Sequence, residues 1–142
     1  MRILFVISST GIGGEQRVAS ILTNKFIEMG HSVDILTFRK VDKSFAFNEM
    51  IPIMEVNPKR YIPKNINRII KIRSSIKRGD YNVIIGFAVI PSILCSLAGI
   101  GLDCPVVVCE RNDPDVYPNK WKLVRKVAYK YAQGAVFQTK QA

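Results

Sequence analysis

The sequence is poor in metal-ligating residues, with one histidine, His31, in 142 residues. A histidine cluster for a resident metal is therefore excluded. Cysteine is scarce as well. Cys95, Cys104 and Cys109 are odd in number and contain no C-x-x-C spacing, so they read as buried free thiols in a reducing compartment. Acidic residues are outnumbered, 11 against 21 Lys and Arg, for a net charge of +10. That imbalance favours anionic partners: nucleic acid, phosphorylated substrates or an anionic membrane face. Long apolar runs are missing. The run after Met1-Arg2 ends at Ser8, too short for a signal-peptide core, and Ile84–Leu102 is broken by Gly86, Pro91, Ser92, Ser96, Gly99 and Gly101. The second stretch is a poor membrane span. There is no internal repeat, no low-complexity tract and no G-x-x-x-x-G-K-[ST] phosphate loop.

What is present is an alternation of apolar runs and helix-like segments. Ile3–Ser8 reads as a strand buried on both faces. Gly14–Met29 follows as a helix with a stripe of Val18, Ile21, Leu22 and Phe26, and Gly30 is placed to cap its end. Val33–Phe38 is a second strand, and Ile51–Val56 is a weaker one that Pro52 pushes to a sheet edge. Asn65–Lys77 reads as a helix with Ile66, Ile69, Ile70 and Ile76 as its apolar positions, Asn82–Gly86 as a strand, Ala88–Gly99 as an apolar helix and Val106–Cys109 as a strand. Lys120–Ala132 is a helix and Ala135–Gln138 the last strand. The fold class is therefore α/β: a Rossmann-like, doubly wound, mainly parallel sheet with helices on both faces and strand order 3-2-1-4-5-6. Ligands of such sheets bind beyond the carboxyl ends of the strands. This places candidate sites at Ser8–Glu15, Arg39–Lys43, Gly86–Pro91 and Glu110–Asp115. Residues 1–142 form a single domain, and the chain reads as a fragment cut at a domain boundary, because only four residues follow the last strand.

The first strand-to-helix turn carries Gly11, Gly13 and Gly14. Glycines here allow positive φ and close approach of a ligand to backbone N–H groups at a helix start, which favours a phosphate. The dinucleotide pattern G-x-G-x-x-G fails at Gln16, and the acid expected after the second strand is replaced by Arg39-Lys40. A dinucleotide-binding domain is thus the weakest reading of this turn.

The segment Ile7-Ser8-Ser9-Thr10-Gly11-Ile12-Gly13-Gly14-Glu15-Gln16-Arg17-Val18-Ala19 resembles the opening of GT-B glycosyltransferases of the family 4 type, which commonly read S-L-x-x-G-G-A-E-R-V. Gly30-His31-Ser32-Val33-Asp34 is similar to their G-H-E-V turn, and Tyr81-Asn82-Val83-Ile84-Ile85-Gly86-Phe87 to their D-V-V-I-S-F strand. Cys109-Glu110-Arg111-Asn112-Asp113-Pro114 resembles the S-E-R-N-x-P loop of bacterial polysaccharide- and oligosaccharide-building members, and Ala135-Val136-Phe137-Gln138-Thr139 their V-V-x-Q-T strand. The resemblance covers the whole chain. It departs where Glu15 and Gln16 replace Ala and Glu; an acid one residue nearer the turn would repel a phosphate.

The resemblance implies the N-terminal, acceptor-side half of a retaining glycosyltransferase, with a C-terminal donor-binding domain absent from this chain. The full-length enzyme would move a sugar from a nucleotide-sugar, its substrate, to a glycan or lipid-linked acceptor, with no cofactor and no tightly bound metal. This chain alone is then inactive and holds no catalytic residue. Gly11, Gly13 and Gly14 would lie near the donor diphosphate, and Glu110, Arg111 and Asn112 would bind acceptor or sugar hydroxyls, Arg111 also an acceptor phosphate. His31 reads as a turn residue. The alternative is a non-catalytic membrane-docking subunit of a two-component transferase.

Between Asn57 and Gly79 lie Lys59, Arg60, Lys64, Arg68, Lys71, Arg73, Lys77 and Arg78, with no acid among them and isoleucines interleaved. A second basic group, Lys120, Lys122, Arg125, Lys126 and Lys130, surrounds Trp121. Such segments are either solvated helix faces over a core stripe or docking surfaces for an anionic membrane. Arg68, Lys71, Lys77 and Arg78 are the candidate docking residues, on a cytoplasmic protein held peripherally at the inner membrane face. Nucleic acid is disfavoured, since no recognised motif or aromatic platform accompanies the charge.

Overall fold

The computed structural model describes residues 1–41, 47–57, 61–110 and 118–137. Six strands form one all-parallel sheet: β1 (Arg2–Ile7), β2 (Ser32–Thr37), β3 (Ile53–Glu55), β4 (Val83–Phe87), β5 (Val106–Glu110) and β6 (Gly134–Phe137). Their spatial order is β3-β2-β1-β4-β5-β6, as the alternation of elements requires. The strand containing Pro52 in its approach does lie at an edge, and is only three residues long. Central strands are largely apolar because a parallel sheet is covered on both faces, and buried Asp34 in β2 is held by Arg2 and the Tyr81 hydroxyl. In β1, Leu4 and Val6 point to one core, and Ile3, Phe5 and Ile7 to the other.

Four helices connect the strands: α1 (Gly14–Glu28), α2 (Lys64–Gly79), α3 (Val89–Gly99) and α4 (Asn119–Ala128), the last continued by a 3₁₀ turn, Tyr129–Tyr131. Helices α2, α3 and α4 pack side by side on the Leu4/Val6 face, and among the described residues α1 is the one helix on the other. One helix cannot cover six strands. Val83, Ile85 and Val107 on the α1 face are accordingly only partly buried, and Val136 on edge strand β6 is 56% exposed.

Helix α1 ends as its glycine demands. Gly30 takes φ +80°, its N–H donates to the Ile27 carbonyl at 2.9 Å, and His31 N–H donates to the Phe26 carbonyl at 2.9 Å. This is the paired hydrogen-bond pattern of a Schellman cap. The His31 ring packs against Phe26 with centroids 6.3 Å apart, so His31 is a turn residue. All three cysteines are buried. Two helix stripes differ from the periodicity. Ile21 in α1 is 55% exposed, while Ile66 and Ile70 in α2 are 51% and 52% exposed. Val18, Leu22 and Phe26 pack against the core beside the buried Ala19, Ser20 and Thr23 of α1, as Ile69 does beside the buried Ile72 and Ile76 of α2.

Candidate functional site

The chain leaves β1 toward β2 and β3 on one side, then returns to β4, β5 and β6 on the other. The reversal opens a crevice beyond the carboxyl ends of β1 and β4. Three candidate turns meet at that edge.

The first follows β1. Ser9 Oγ accepts the Gly11 N–H at 3.1 Å. Thr10, 2% exposed, donates its N–H to the Arg39 carbonyl at 3.2 Å and accepts the Val41 N–H on Oγ1 at 2.9 Å. The turn is thereby sewn to the segment after β2, where the Arg39 and Lys40 side chains are exposed. Lys40 N–H in turn donates to the Glu55 carboxylate at 3.1 Å. None of Gly11, Gly13 and Gly14 adopts positive φ, so the expected use of glycine for backbone handedness is corrected. Gly13, the N-cap of α1, is extended at φ 175°, and no side chain caps this helix. A Cβ on Gly14 would find nothing within 4 Å, whereas one on Gly13 would meet the Gln16 side-chain amide oxygen. What the turn offers is an uncapped, positively polarised helix start with open space at Gly14.

The second turn follows β4. Gly86 accepts no side chain, since a Cβ there would stand 2.6 Å from the Ser92 Cα. The first turn of α3 therefore rests directly on the β4 backbone. Ser92, fully buried, donates Oγ–H to the Gly86 carbonyl at 2.7 Å and accepts the Cys109 N–H at 3.3 Å. Ala88 between them has φ +73° and ψ 168°, a region populated almost solely by glycine. Its N–H donates to the Cys109 carbonyl at 2.8 Å, and its carbonyl accepts the Ser92 N–H at 3.0 Å. The segment Gly86–Pro91 was a candidate, but the backbone conformation of Ala88 and the bonds of Ser92 were not foreseen. The one available signal was Gly86 inside a strand, which marks close backbone approach.

The third turn follows β5. Glu110 was expected to face the crevice; the structure places it inside, 1% exposed. Its carboxylate accepts Arg125 Nη1 at 3.0 and 3.3 Å and the Tyr129 hydroxyl at 2.6 Å. Burial, and then the bond to Glu110, push the Tyr129 hydroxyl well above the usual tyrosine range. This cluster ties α4 to the end of β5. Arg111 and Asn112, the other two residues expected there, lie outside the described residues. Of the four α2 candidates, Lys71, Lys77 and Arg78 are exposed, and Arg68 is half-buried with its guanidinium over the Phe38 ring at 4.2 Å. Among the described residues no group of three or more His, Cys, Asp or Glu is placed to hold a metal ion, and no helix is long and apolar enough to cross a membrane.

No family model matches the chain. It is similar to a Campylobacter jejuni (subsp. jejuni serotype O:2) enzyme named GalNAc-alpha-(1->4)-GalNAc-alpha-(1->3)-diNAcBac-PP-undecaprenol alpha-1,4-N-acetyl-D-galactosaminyltransferase, at 25% identity over 92% of this chain and 38% of that one. Among solved structures it resembles the apo form of the lipopolysaccharide outer core galactosyltransferase WaaB, with a TM-score of 0.73 and 17% identity over 95% of this chain and 38% of that chain. It also resembles a protein described as a putative UDP-N-acetylglucosamine 2-epimerase from Listeria monocytogenes, with a TM-score of 0.70 and 12% identity over 99% and 39%. The chain thus spans under two-fifths of the length of these proteins. Its fold is the Rossmann-like unit of GT-B glycosyltransferase-like structures.

Proposed function

We propose that this chain is the N-terminal, acceptor-side half of a retaining glycosyltransferase of the family 4 type, which moves a sugar from a nucleotide-sugar to a glycan or lipid-linked acceptor at the cytoplasmic membrane face. The observation that carries the reading is the similarity, across 92% of the chain, to an enzyme whose name specifies sugar transfer to an undecaprenyl-pyrophosphate-linked glycan. The crevice geometry supports it. The start of α1 has no side-chain cap and Gly14 leaves open space beside it, as backbone stabilisation of a departing diphosphate needs. Arg39 and Lys40, exposed beside that turn, would offset the charge of Glu15.

In this reading Gly11, Gly13 and Gly14 form one wall of the donor diphosphate site, and a second domain closes on it. Arg111 and Asn112 contact the acceptor. Glu110 completes the acceptor side from within, because its carboxylate is spent on Arg125 and Tyr129. The likeness to an epimerase-type structure gives a second reading, a half-site for a reaction on the nucleotide-sugar itself.

One experiment separates them. The chain is assayed alone and fused to the C-terminal remainder of the Campylobacter transferase, with UDP-sugars and a short-chain pyrophosphate-linked glycan. The expected result is no turnover by the chain alone, transfer by the fusion, and no calorimetric binding of UDP-sugar to the chain alone. Binding at micromolar Kd or tighter, about 8 kcal/mol, would overturn the half-site reading. Epimerised UDP-sugar without transfer would favour the second.

A further inference from the structure

Glu110, Arg125 and Tyr129 place a polar cluster inside an otherwise apolar contact. Helix α4 rests on α3 through the buried Ala128, Val89 and Ile93, with Leu97 and Trp121 beside them. Into that contact the end of β5 sends a carboxylate. Arg125 Nη1 donates to both oxygens of Glu110, and the Tyr129 hydroxyl donates to one of them. The Tyr129 hydroxyl also interacts with the Ser92 side chain, and Ser92 joins the Gly86 carbonyl to the Cys109 N–H. One buried polar chain thus runs from α4, through the last residue of β5, to the first turn of α3.

Packing does not require such a chain. Exchanging a buried ion pair for well-packed apolar groups of similar volume is often neutral or stabilising, whereas removing one partner alone is costly. What the pair supplies, and apolar contact does not, is a fixed position. A carboxylate gripped by a guanidinium and a hydroxyl has one place to sit, while repacked apolar cores lose rigidity before they lose stability. The fixed point lies where precision counts. Glu110 ends β5 and directly precedes Arg111 and Asn112 in the sequence. Ala88, at the end of neighbouring β4, is held in its glycine-only conformation by the bond from its N–H to the Cys109 carbonyl. Strain of this kind persists only where the surroundings over-determine it.

We infer that Arg125 and Tyr129 are positioning residues: through the Glu110 carboxylate and Ser92 they fix the carboxyl ends of β4 and β5, and so the wall against which the acceptor binds. This rests on the acceptor-side reading above and names the residues behind the crevice on which its precision depends. Helix α4 then has a second task besides covering the sheet.

The test uses E110L/R125M/Y129F, which exchanges the three polar groups for apolar ones of similar size, with R125M alone as its comparison. The triple variant should melt close to the parent chain, and R125M, which strands a buried carboxylate, should be the least stable of the three. Amide hydrogen exchange of the purified chain reads the wall directly. In the triple variant the Ala88 and Cys109 amides should exchange faster by about tenfold or more, with Phe5 and Ile35 unchanged. In the fusion enzyme kcat/KM for the acceptor should fall by about ten- to a hundredfold, with KM for nucleotide-sugar unchanged. Parental exchange at Ala88 and Cys109 in a folded triple variant would sink the inference. So would faster exchange with undiminished transfer, which makes the polar chain structural only. A triple variant that fails to fold counts against it too, because packing itself would then need the polar groups. If the fusion with the parent sequence transfers no sugar, the proposed function falls by itself, and the exchange result alone decides whether Arg125 and Tyr129 position the wall.

Discussion

Two strand-to-helix turns flank the crevice, and they use glycine in opposite ways. The β1–α1 turn has three glycines and no residue at positive φ. The β4–α3 turn places an alanine, Ala88, where backbone sterics call for glycine. Glycine in the first turn therefore preserves space, above all at Gly14. In the second turn the strain at Ala88 is held by hydrogen bonds from both sides, and Gly86 lets α3 sit on the strand beneath it. Neither helix start has a side-chain cap, but the first turn is open and the second is closed and over-determined. This difference suits a crevice in which one wall receives a ligand and the other must not move.

The largest expected effect breaks the closed turn. Gly86→Ala places a methyl group 2.6 Å from the Ser92 backbone. Backbone cannot give way as a flexible side chain can, so the loss should reach about 3 kcal/mol. Urea denaturation of the variant against the parent chain measures it. A loss under about 1 kcal/mol would mean that α3 is free to shift and the second turn is not rigid. Ser92→Ala comes next. It removes a buried hydroxyl that bonds both Gly86 and Cys109, leaving their backbone groups with one partner fewer. About 1–2 kcal/mol should be lost, with faster amide exchange at Cys109.

These two residues also mark where sequence reading stops. The sheet was legible because continuous apolar runs such as Leu4–Ile7 have one use in an α/β chain. Strand order followed from connection rules, and the Gly30 cap from a glycine at the end of a helical stripe. Ile21, Ile66 and Ile70 were misplaced because periodicity reports an apolar arc, not how much of that arc a neighbour covers. Glu110 was misplaced for a different reason. Its partners Arg125 and Tyr129 stand 15 and 19 residues further on, in an element whose contact with β5 only the fold creates. Ser92 looked like a break in an apolar helix, and nothing in the sequence encodes the dihedral angles of Ala88. The open space at Gly14 was visible as glycine and was read both for close ligand approach and for handedness; only the second use is missing from the structure.

Ala88→Gly sharpens the comparison in the stabilising direction. Relief of the glycine-only conformation is worth about 1–3 kcal/mol. Against it stands the extra freedom of glycine in the unfolded chain, about 0.5–1 kcal/mol. A net gain near 1 kcal/mol should appear as a melting temperature higher by about 2–5 °C. A lower melting temperature would show that the buried Ala88 methyl contributes more packing than its backbone stores in strain.

The smallest effect on stability carries the most information about function. Gly14→Ala adds a methyl group with nothing within 4 Å, at the first position of α1. Alanine is the better helix former, so the chain should be unchanged or more stable by a few tenths of a kcal/mol. Its structural cost is negligible, so a loss of transfer would come from the ligand. If an anionic group of the donor approaches the α1 N–H groups through that space, the methyl group holds it away. The fusion enzyme should then show a raised KM for nucleotide-sugar, by roughly tenfold for a loss of about 1.4 kcal/mol, with its KM for acceptor little changed. Gly13→Ala makes the control, because the space above Gly13 is already taken by the Gln16 side chain, which can swing aside. Equal effects from the two substitutions would mean that the helix start as a whole is sensitive. An effect confined to Gly14 would locate the donor on the open side of the first turn, opposite the rigid wall that Gly86, Ala88 and Ser92 build.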